Sequence, residues 1–519
     1  MKEYILSNKE AQAVDDYTMG ELGYSGKELM KKAGGYVAMK AKNLLNHVPG
    51  SRIEIFCGTG NNGGDGFVAA GELSDWGAHV HVWIVGTEDK ISGDALYYYN
   101  KIKDDNQSIN FLKKAEDLEN IQDLHGSDLI IDALLGTGLK GDVRGLYADL
   151  IDMINNSNRP VLSVDIPSGI NGDTGLKGGK AVKAVKTITM GFLKRGLLYN
   201  DGPDYSGKVI VGDLKYPQES YDILDYETYL FKKEDLKKFL PKIAFDVYKH
   251  RMGKVLCYCG SPGMTGAAVL VSRAAQRSGA GLVISAIPAS LNTIMEIKLT
   301  EGLSFPVKES KKNTFTKASL ESSREKIDWS NTIVFGPGVS DKKEVMDFGI
   351  ELLNTAQKPF VIDADGLKIF KDNLELIKKL DSPILTPHIG ELSFITGKSV
   401  AEIKENIIDF GRDFAQKYGC ILVLKGPHTI TFSPEGTAAV NATGNPGLAT
   451  GGTGDVLTGI IAALVAQGLD PFDAAASAVS VHGAAADEAV NHLGFRGLIA
   501  GDLLKYIPEI LKQYDELKH

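Results

Sequence analysis

Apolar positions near the start of the chain recur with a helical period: Leu29, Ala33, Val37 and Ala41 stand four apart and would form one buried stripe. After residue 50 the pattern changes to short apolar runs, RIEIFCG, AHVHVWIVG, DLIIDALLG, PVLSVDIPSG, AVKTITMGF and GKVIVGDL, separated by helix-compatible sequence. Unbroken apolar strands alternating with helices predict a parallel sheet covered on both faces. KYPQESYDILDYETY then loses all periodicity and reads as a linker. A second series follows: KVLCYCG, LVISAIP, TIVFGPGV, FVIDADG, PILTPHIGE and CILVLKG. Val456, Leu457, Ile460, Ile461 and Leu464 close the pattern at helical spacing behind Asp455. No short repeat is present, which argues against a solenoid.

The chain is therefore read as α/β with two domains, 1–220 and 221–519, within the range that 519 residues allow. A formal charge of −9 argues against a general nucleic-acid or anionic-membrane binder. Cys57, Cys257, Cys259 and Cys420 all fall in strand-like runs with no C-x-x-C pair, as expected of buried free thiols in a reducing compartment. MKEYILSNKEAQAVDD lacks an apolar signal core, and no run is long enough to span a bilayer. A cytoplasmic protein is expected.

Ligands of open α/β sheets sit beyond the carboxyl ends of the strands, and both series place glycine-rich turns there. Two separate sites are expected. In the first, Gly58, Gly60, Gly63, Gly64 and Gly66 follow RIEIFC, with a helix expected to begin near Asp65 or Gly66. Amides at such a start suit phosphate, although a bare strand-to-helix turn is equally open. The loose G-T-G-N-N-G match lacks the acidic partner of a dinucleotide fingerprint about 20 residues on. At the same sheet edge lie Asp132, the loop 136–142, Asp165 and Ser168. Asn62, Asp132 and Ser168 offer hard oxygen donors for an alkali or alkaline-earth cation; singly, Asp132 could be a helix cap and Ser168 a turn residue.

In the second site, NATGNPGLATGGTGDVLTGIIAAL puts a glycine loop and one carboxylate at a helix start. No G-x-x-x-x-G-K-[ST] occurs, which disfavours a P-loop NTPase. G-G-T-G-D instead offers amides and a helix dipole to an anion, and Asp455 could accept the proton of an attacking hydroxyl. A plain N-cap would explain Asp455 but not the glycines before it.

NNGGDG, DALLGTGLKGDVRG and SVDIPSGINGDTG resemble the N-terminal, epimerase domain of bifunctional NAD(P)H-hydrate repair enzymes over residues 1–215, which implies a Rossmann-like αβα sandwich. The resemblance implies that Asn61, Asn62, Gly63, Gly64 and Asp65, then Gly136, Thr137, Gly138, Leu139, Lys140, Gly141 and Asp142, and Asp165 contact the hydrated nicotinamide nucleotide. It assigns potassium to Asn62, Asp132 and Ser168. Asp165 is the expected acid/base, with Lys140 as a cationic helper or, alternatively, a solvated or phosphate-contacting lysine.

GSPGMTGAAVL, VFGPGV, VIDADG, LTPHIGE, VLKGPHT and GNPGLATGGTGDVLTG resemble the dehydratase half of the same enzymes over residues 230–519, implying a ribokinase-like αβα domain. By this resemblance Ala267, Gly338, His388 and Asp455 meet the hydrated nucleotide, and Lys425, Gly426, Pro427, His428, Thr429 and Gly454 meet ADP, with magnesium accompanying it. His388 could equally be a turn residue bonded to backbone, and Lys425 the cap of a strand. Tyr248-Lys249-His250-Arg251-Met252-Gly253 departs from the H-K-G-x-x-G run of the family. The implied activity is epimerisation of the hydrates of NADH and NADPH (NADHX and NADPHX) and ADP-dependent dehydration by a homo-oligomer. A ribokinase-like sugar or vitamin kinase, or an N-terminal domain that only binds nucleotide, stands as the alternative.

Overall fold

Every apolar run of the first series becomes a strand. Together with one further strand they are β1 (Arg52–Cys57), β2 (His79–Val85), β3 (Ser108–Leu112), β4 (Leu129–Ala133), β5 (Val161–Val164), β6 (Lys186–Met190) and β7 (Lys208–Gly212). The computed structural model describes residues 2–105, 107–121, 124–139 and 141–518, and the chain falls into two compact units, Met1–Asp225 and Tyr226–His519. In the first unit the parallel sheet runs β3-β2-β1-β4-β5-β6-β7. The order reverses between β1 and β4, so a crevice opens at their carboxyl ends.

Helices α1 (Asn8–Gly20), α2 (Gly26–Lys42) and α3 (Asn61–Asp75) belong to this unit. The predicted stripe of α2 is buried through Leu29, Ala33, Val37 and Ala41. The start of α3 differs from expectation: it begins at Asn61 rather than near Asp65. Its first turn can close directly onto the end of β1 because Gly63 has no side chain; a Cβ there would lie 2.0 Å from the Gly58 carbonyl oxygen. A short strand, Leu193–Lys194, pairs in parallel with Glu3–Leu6.

The second unit contains β8 (Thr228–Phe231), β9 (Lys254–Tyr258), β10 (Leu282–Pro288), β11 (Leu303–Val307), β12 (Thr332–Phe335), β13 (Phe360–Ile362), β14 (Ile384–Leu385), β15 (Ile421–Leu424), β16 (Ile430–Phe432) and β17 (Ala438–Asn441). They run β11-β10-β9-β12-β13-β14-β15-β16-β17-β8, parallel except where β16 turns antiparallel to both its neighbours. The helices that matter for function are α4 (Thr265–Arg277), α5 (Ile389–Thr396), α6 (Thr453–Ala466) and α7 (Pro471–Gly497). From Val456 to Ala466 every residue of α6 is buried, so the helix is enclosed all round. It packs backbone to backbone on α4 at Gly459, where a Cβ would lie 2.4 Å from the Val271 carbonyl oxygen. All four cysteines are free and buried. No helix among the described residues is long and apolar enough to cross a membrane.

Candidate active sites in the two units

At the reversal of the first sheet, the turn after β1 and the loop after β4 touch: a Cβ on Gly58 would lie 2.2 Å from the Leu134 carbonyl oxygen. Asp132, at the end of β4, is fully buried. It accepts bonds from Ser168 N at 2.9 Å, Ser168 Oγ at 2.5 Å, Ser163 Oγ at 2.8 Å and Leu134 N at 3.3 Å. Burial nonetheless outweighs these bonds and holds its carboxyl above the ordinary aspartate range. Asn62, in the first turn of α3, lies beside Gly136, where an added Cβ would stand 3.5 Å from Asn62 Cβ, and both polar atoms of its buried carboxamide lack a partner. An orphaned carboxamide oxygen, a buried carboxylate and a serine hydroxyl around one turn are a donor set that fits a hard monovalent cation.

Asp165 has φ 66, a left-handed conformation that is costly for any residue but glycine. Its amide donates to Ile188 O at 2.7 Å, and its Oδ1 accepts from Met190 N at 3.0 Å and Thr189 Oγ1 at 3.3 Å. The third partner is Lys194, whose Nζ donates to the same oxygen at 2.5 Å. Only 4% of the Lys194 side chain is exposed, and its ammonium also lies 4.6 Å from the centre of the Phe192 ring. Two more carboxyls feel the charges of Asp165 and Lys194. Burial pushes Asp65 well up, reinforced by the charge of Asp165. Burial also raises Asp15 of α1, against the bond that Tyr216 donates to it at 2.6 Å. One buried ammonium thus stands among three carboxyls, and burial disfavours the charged form of two of them, Asp65 and Asp15.

The loop after β4 is tied to the start of α1. Asn8 Nδ2 donates to Thr137 O at 2.9 Å, and Gly138 is exposed. Gly141 has φ 76 with Asp142 exposed beside it. Lys140 lies outside the described residues. Asn61 is exposed, while Gly63 and Gly64 are buried in the first turn of α3. Lys194 was missed by the sequence reading, although a charged pair inside TITMGFLKRGLL was a visible signal.

In the second unit, Asp455 occupies the first turn of α6 but does not cap it. The N-cap position is Gly452, at φ 91, and no side-chain cap bond forms. Capping therefore leaves the carboxylate unexplained. Burial, and then the charge of Asp363, push Asp455 up to about 7, against the pull of Lys425. Asp363, which follows β13, is 1% exposed. Lys425 Nζ donates to its Oδ1 at 2.7 Å, and Thr458 Oγ1 donates to its Oδ2 at 2.8 Å. Burial alone would raise Asp363; the Lys425 ammonium and the hydroxyls of Thr386 and Thr458 outweigh it and hold the carboxyl below its usual range. Lys425 in turn is held charged by Asp363 and by Glu391, 3.9 Å away. A Cβ on Gly454 would lie 3.4 Å from the Lys425 ammonium, which places that cation under the glycine loop.

Ala267 and Gly338 meet at the reversal between β9 and β12, where a Cβ on Gly338 would touch Ala267 Cβ at 3.0 Å. Ser261 Oγ donates to Gly338 O at 2.8 Å. His388 caps α5: its Nδ1 accepts from Glu391 N at 3.1 Å, its own amide donates to Glu391 Oε2 at 2.8 Å, and its ring is 59% exposed. The backbone-bonded turn role is therefore real, with the outer ring face left open to solvent. Gly426 and Pro427 are exposed. His428 Nδ1 lies 3.2 Å from Asn441 O, and Thr429 Oγ1 donates to Gly426 O at 3.1 Å. Two residues were not foreseen here, Asp363 and His482. His482, on α7, bonds the Thr453 backbone, and burial pulls it down to about 4, so it stands neutral behind the loop. A lone histidine in an alanine-rich helix gives no sequence signal.

The family described as NAD(P)H-hydrate dehydratase matches residues 255–509, and the one described as YjeF-related protein N-terminus matches residues 26–196. A bifunctional NAD(P)H-hydrate repair enzyme of Moorella thermoacetica is 36% identical over 519 residues, covering 99% of this chain and 97% of the relative. One from Thermofilum pendens is 35% identical over 510 residues, covering 98% and 96%. Among solved structures, an ADP/ATP-dependent NAD(P)H-hydrate dehydratase from Bacillus subtilis, co-crystallised with ATP and Mg2+, is 28% identical, covers 55% of this chain and 98% of that chain, and superposes with a TM-score of 0.47.

Proposed function

The chain belongs to the family of bifunctional NAD(P)H-hydrate repair enzymes, and from that premise we propose how its two units divide the work. The first interconverts the two carbon-6 epimers of hydrated NADH and NADPH; the second dehydrates the S form at the expense of ADP. The observation that carries this reading is Asp455. It is a half-buried carboxyl tuned to about 7, uncommitted to capping, beside a glycine loop with a cation beneath it.

In the second unit Asp455 takes the proton of the carbon-6 hydroxyl. That oxygen bonds to the β-phosphorus of ADP, and the bond to the bridging oxygen breaks, with its electron pair leaving on AMP. Loop amides at Gly452 to Gly454 and the Lys425 ammonium offset charge on the transferring group. Phosphate then departs from carbon 6 as a proton leaves carbon 5, which restores the ring double bond. Magnesium would accompany the nucleotide and would supply neutralisation of the phosphate charge. Ala267, Gly338 and His388 border the hydrated ring in this reading, and Gly426 to Thr429 border the nucleotide.

In the first unit, Asp165 and Lys194 exchange protons with the carbon-6 hydroxyl as the ring nitrogen's lone pair expels it. Water then adds back from either face. Asn62, Asp132 and Ser168 would hold potassium, whose charge would balance buried Asp132 and steady the loop at Gly136. A sugar or vitamin kinase is not favoured, because the repair-enzyme relatives align with both units together. The reading includes a homo-oligomer acting in the cytoplasm, where four unpaired thiols stay reduced.

The test is to supply hydrated NADH with ADP and follow absorbance at the reduced-nicotinamide band. Recovery with stoichiometric AMP and phosphate is expected; a stable phosphorylated product would instead identify a kinase. Exchanging potassium for tetramethylammonium should slow epimerisation and leave dehydration unchanged.

A further inference from the structure

Asp455 and Thr458 stand three residues apart on one face of α6, and Thr458 Oγ1 binds Asp363 Oδ2 at 2.8 Å. Asp363 thus sits directly below the first turn that carries Asp455, pinned from the other side by Lys425 at 2.7 Å. We propose that Asp363 is a positioning residue of the phosphoryl-transfer site: its fixed charge keeps Asp455 basic enough to take a proton from an alcohol, and it holds the Lys425 ammonium under the anion loop. This deepens the dehydratase reading of the second unit and rests on it.

The geometry explains why a carboxylate is needed there. A lone ammonium under the loop would bind the phosphoryl group but would also pull Asp455 toward the weak basicity of an ordinary surface aspartate. Pairing that ammonium with a deeper carboxylate more than offsets its effect on the base, because Asp363 outweighs Lys425 there, while its outer side still faces the loop. The other titratable groups around Asp455 do not substitute for Asp363. Glu391 on α5 is 3.9 Å from Lys425 and is committed to the α5 cap. His482 on α7 is held neutral by burial. Cys259, behind β9, is fully buried, with its thiol raised well above its usual range. The buried face of α4 presents alanines, valines and Ser272.

The experiment measures kcat for ADP-dependent dehydration against pH in the full chain, at saturating ADP, for wild type and Asp363→Asn. The wild-type acid limb is expected near pH 7. In Asp363→Asn it should move down by about one pH unit, with a plateau about tenfold lower, because the base is weaker. An acid limb that stays in place overturns the proposal, since a merely structural role would lower the rate at every pH alike. Asp363→Asn leaves Lys425 buried without its partner, so the double variant Asp363→Asn/Lys425→Met removes the pair together and guards against misfolding. Its limb should move down by about half a unit, and an unmoved limb there is equally fatal. The carboxyl 13C shift of Asp455, titrated in nucleotide-free protein labelled at aspartate, reads the same midpoints without any turnover. A wild type that fails to convert hydrate therefore sinks the dehydratase reading alone, while the 13C midpoints still decide the role of Asp363.

Discussion

Single carboxyls behave differently in this chain according to what surrounds them. Asp455 is raised from 3.8 to about 7, so it is neutral in acid and charged in base while folded. A raised folded-state pKa means that stability is lost as pH climbs between those two values, on the order of 3 kcal/mol after discounting for partial solvation. Asp455→Asn is expected to raise the melting temperature of the second unit by about 5 °C at pH 8 and to leave it unchanged near pH 4, measured by calorimetry. At the first site, Lys194→Met should cut epimerisation by about a hundredfold, whereas Lys140→Met should change it by less than about threefold, as read from the relaxation of one purified epimer. Motifs such as NNGGDG, VDIPSG and GGTGD were legible as site candidates because their glycines and polar residues sit in adjacent positions. Lys194 and Asp363 were harder to read because their importance comes from partners 29 and 62 positions away.

Elements were read best where burial is total. Strands covered on both faces, such as β4 and β15, carry unbroken apolar runs that only a sheet interior explains. The strands that escaped the reading lie at edges or in hairpins: β3, SINFL, alternates polar and apolar, and β11 contains Pro306. The end of the tyrosine-rich stretch, expected to be linker, enters β8 and pairs with β17. The start of α3 was misplaced because glycines lower helix propensity, yet here they are what lets the helix close onto its strand. Gly459→Ala should accordingly destabilise the second unit by about 3 kcal/mol, because its Cβ would meet backbone rather than a movable side chain. Urea denaturation followed by tryptophan-independent circular dichroism would measure the change.

For the whole molecule, the two sites belong to units with separate hydrophobic cores. Asp455→Asn should abolish dehydration, by at least about a thousandfold, with epimer exchange intact. Asp165→Ala should do the reverse, as measured by supplying each purified epimer in turn. Loss of both activities in either variant would contradict the division of labour.

Because α6 is walled in from Val456 to Ala466 and packed backbone to backbone on α4 at Gly459, the first turn that carries Asp455 is held in place. On the proposed reading, discrimination among alcohols is expected to lie in solvent-facing groups, chiefly the turn Pro262 to Gly266 and the open ring of His388. Retargeting this scaffold to a different acceptor would mean grafting those turns, with the machinery beneath them left as it stands.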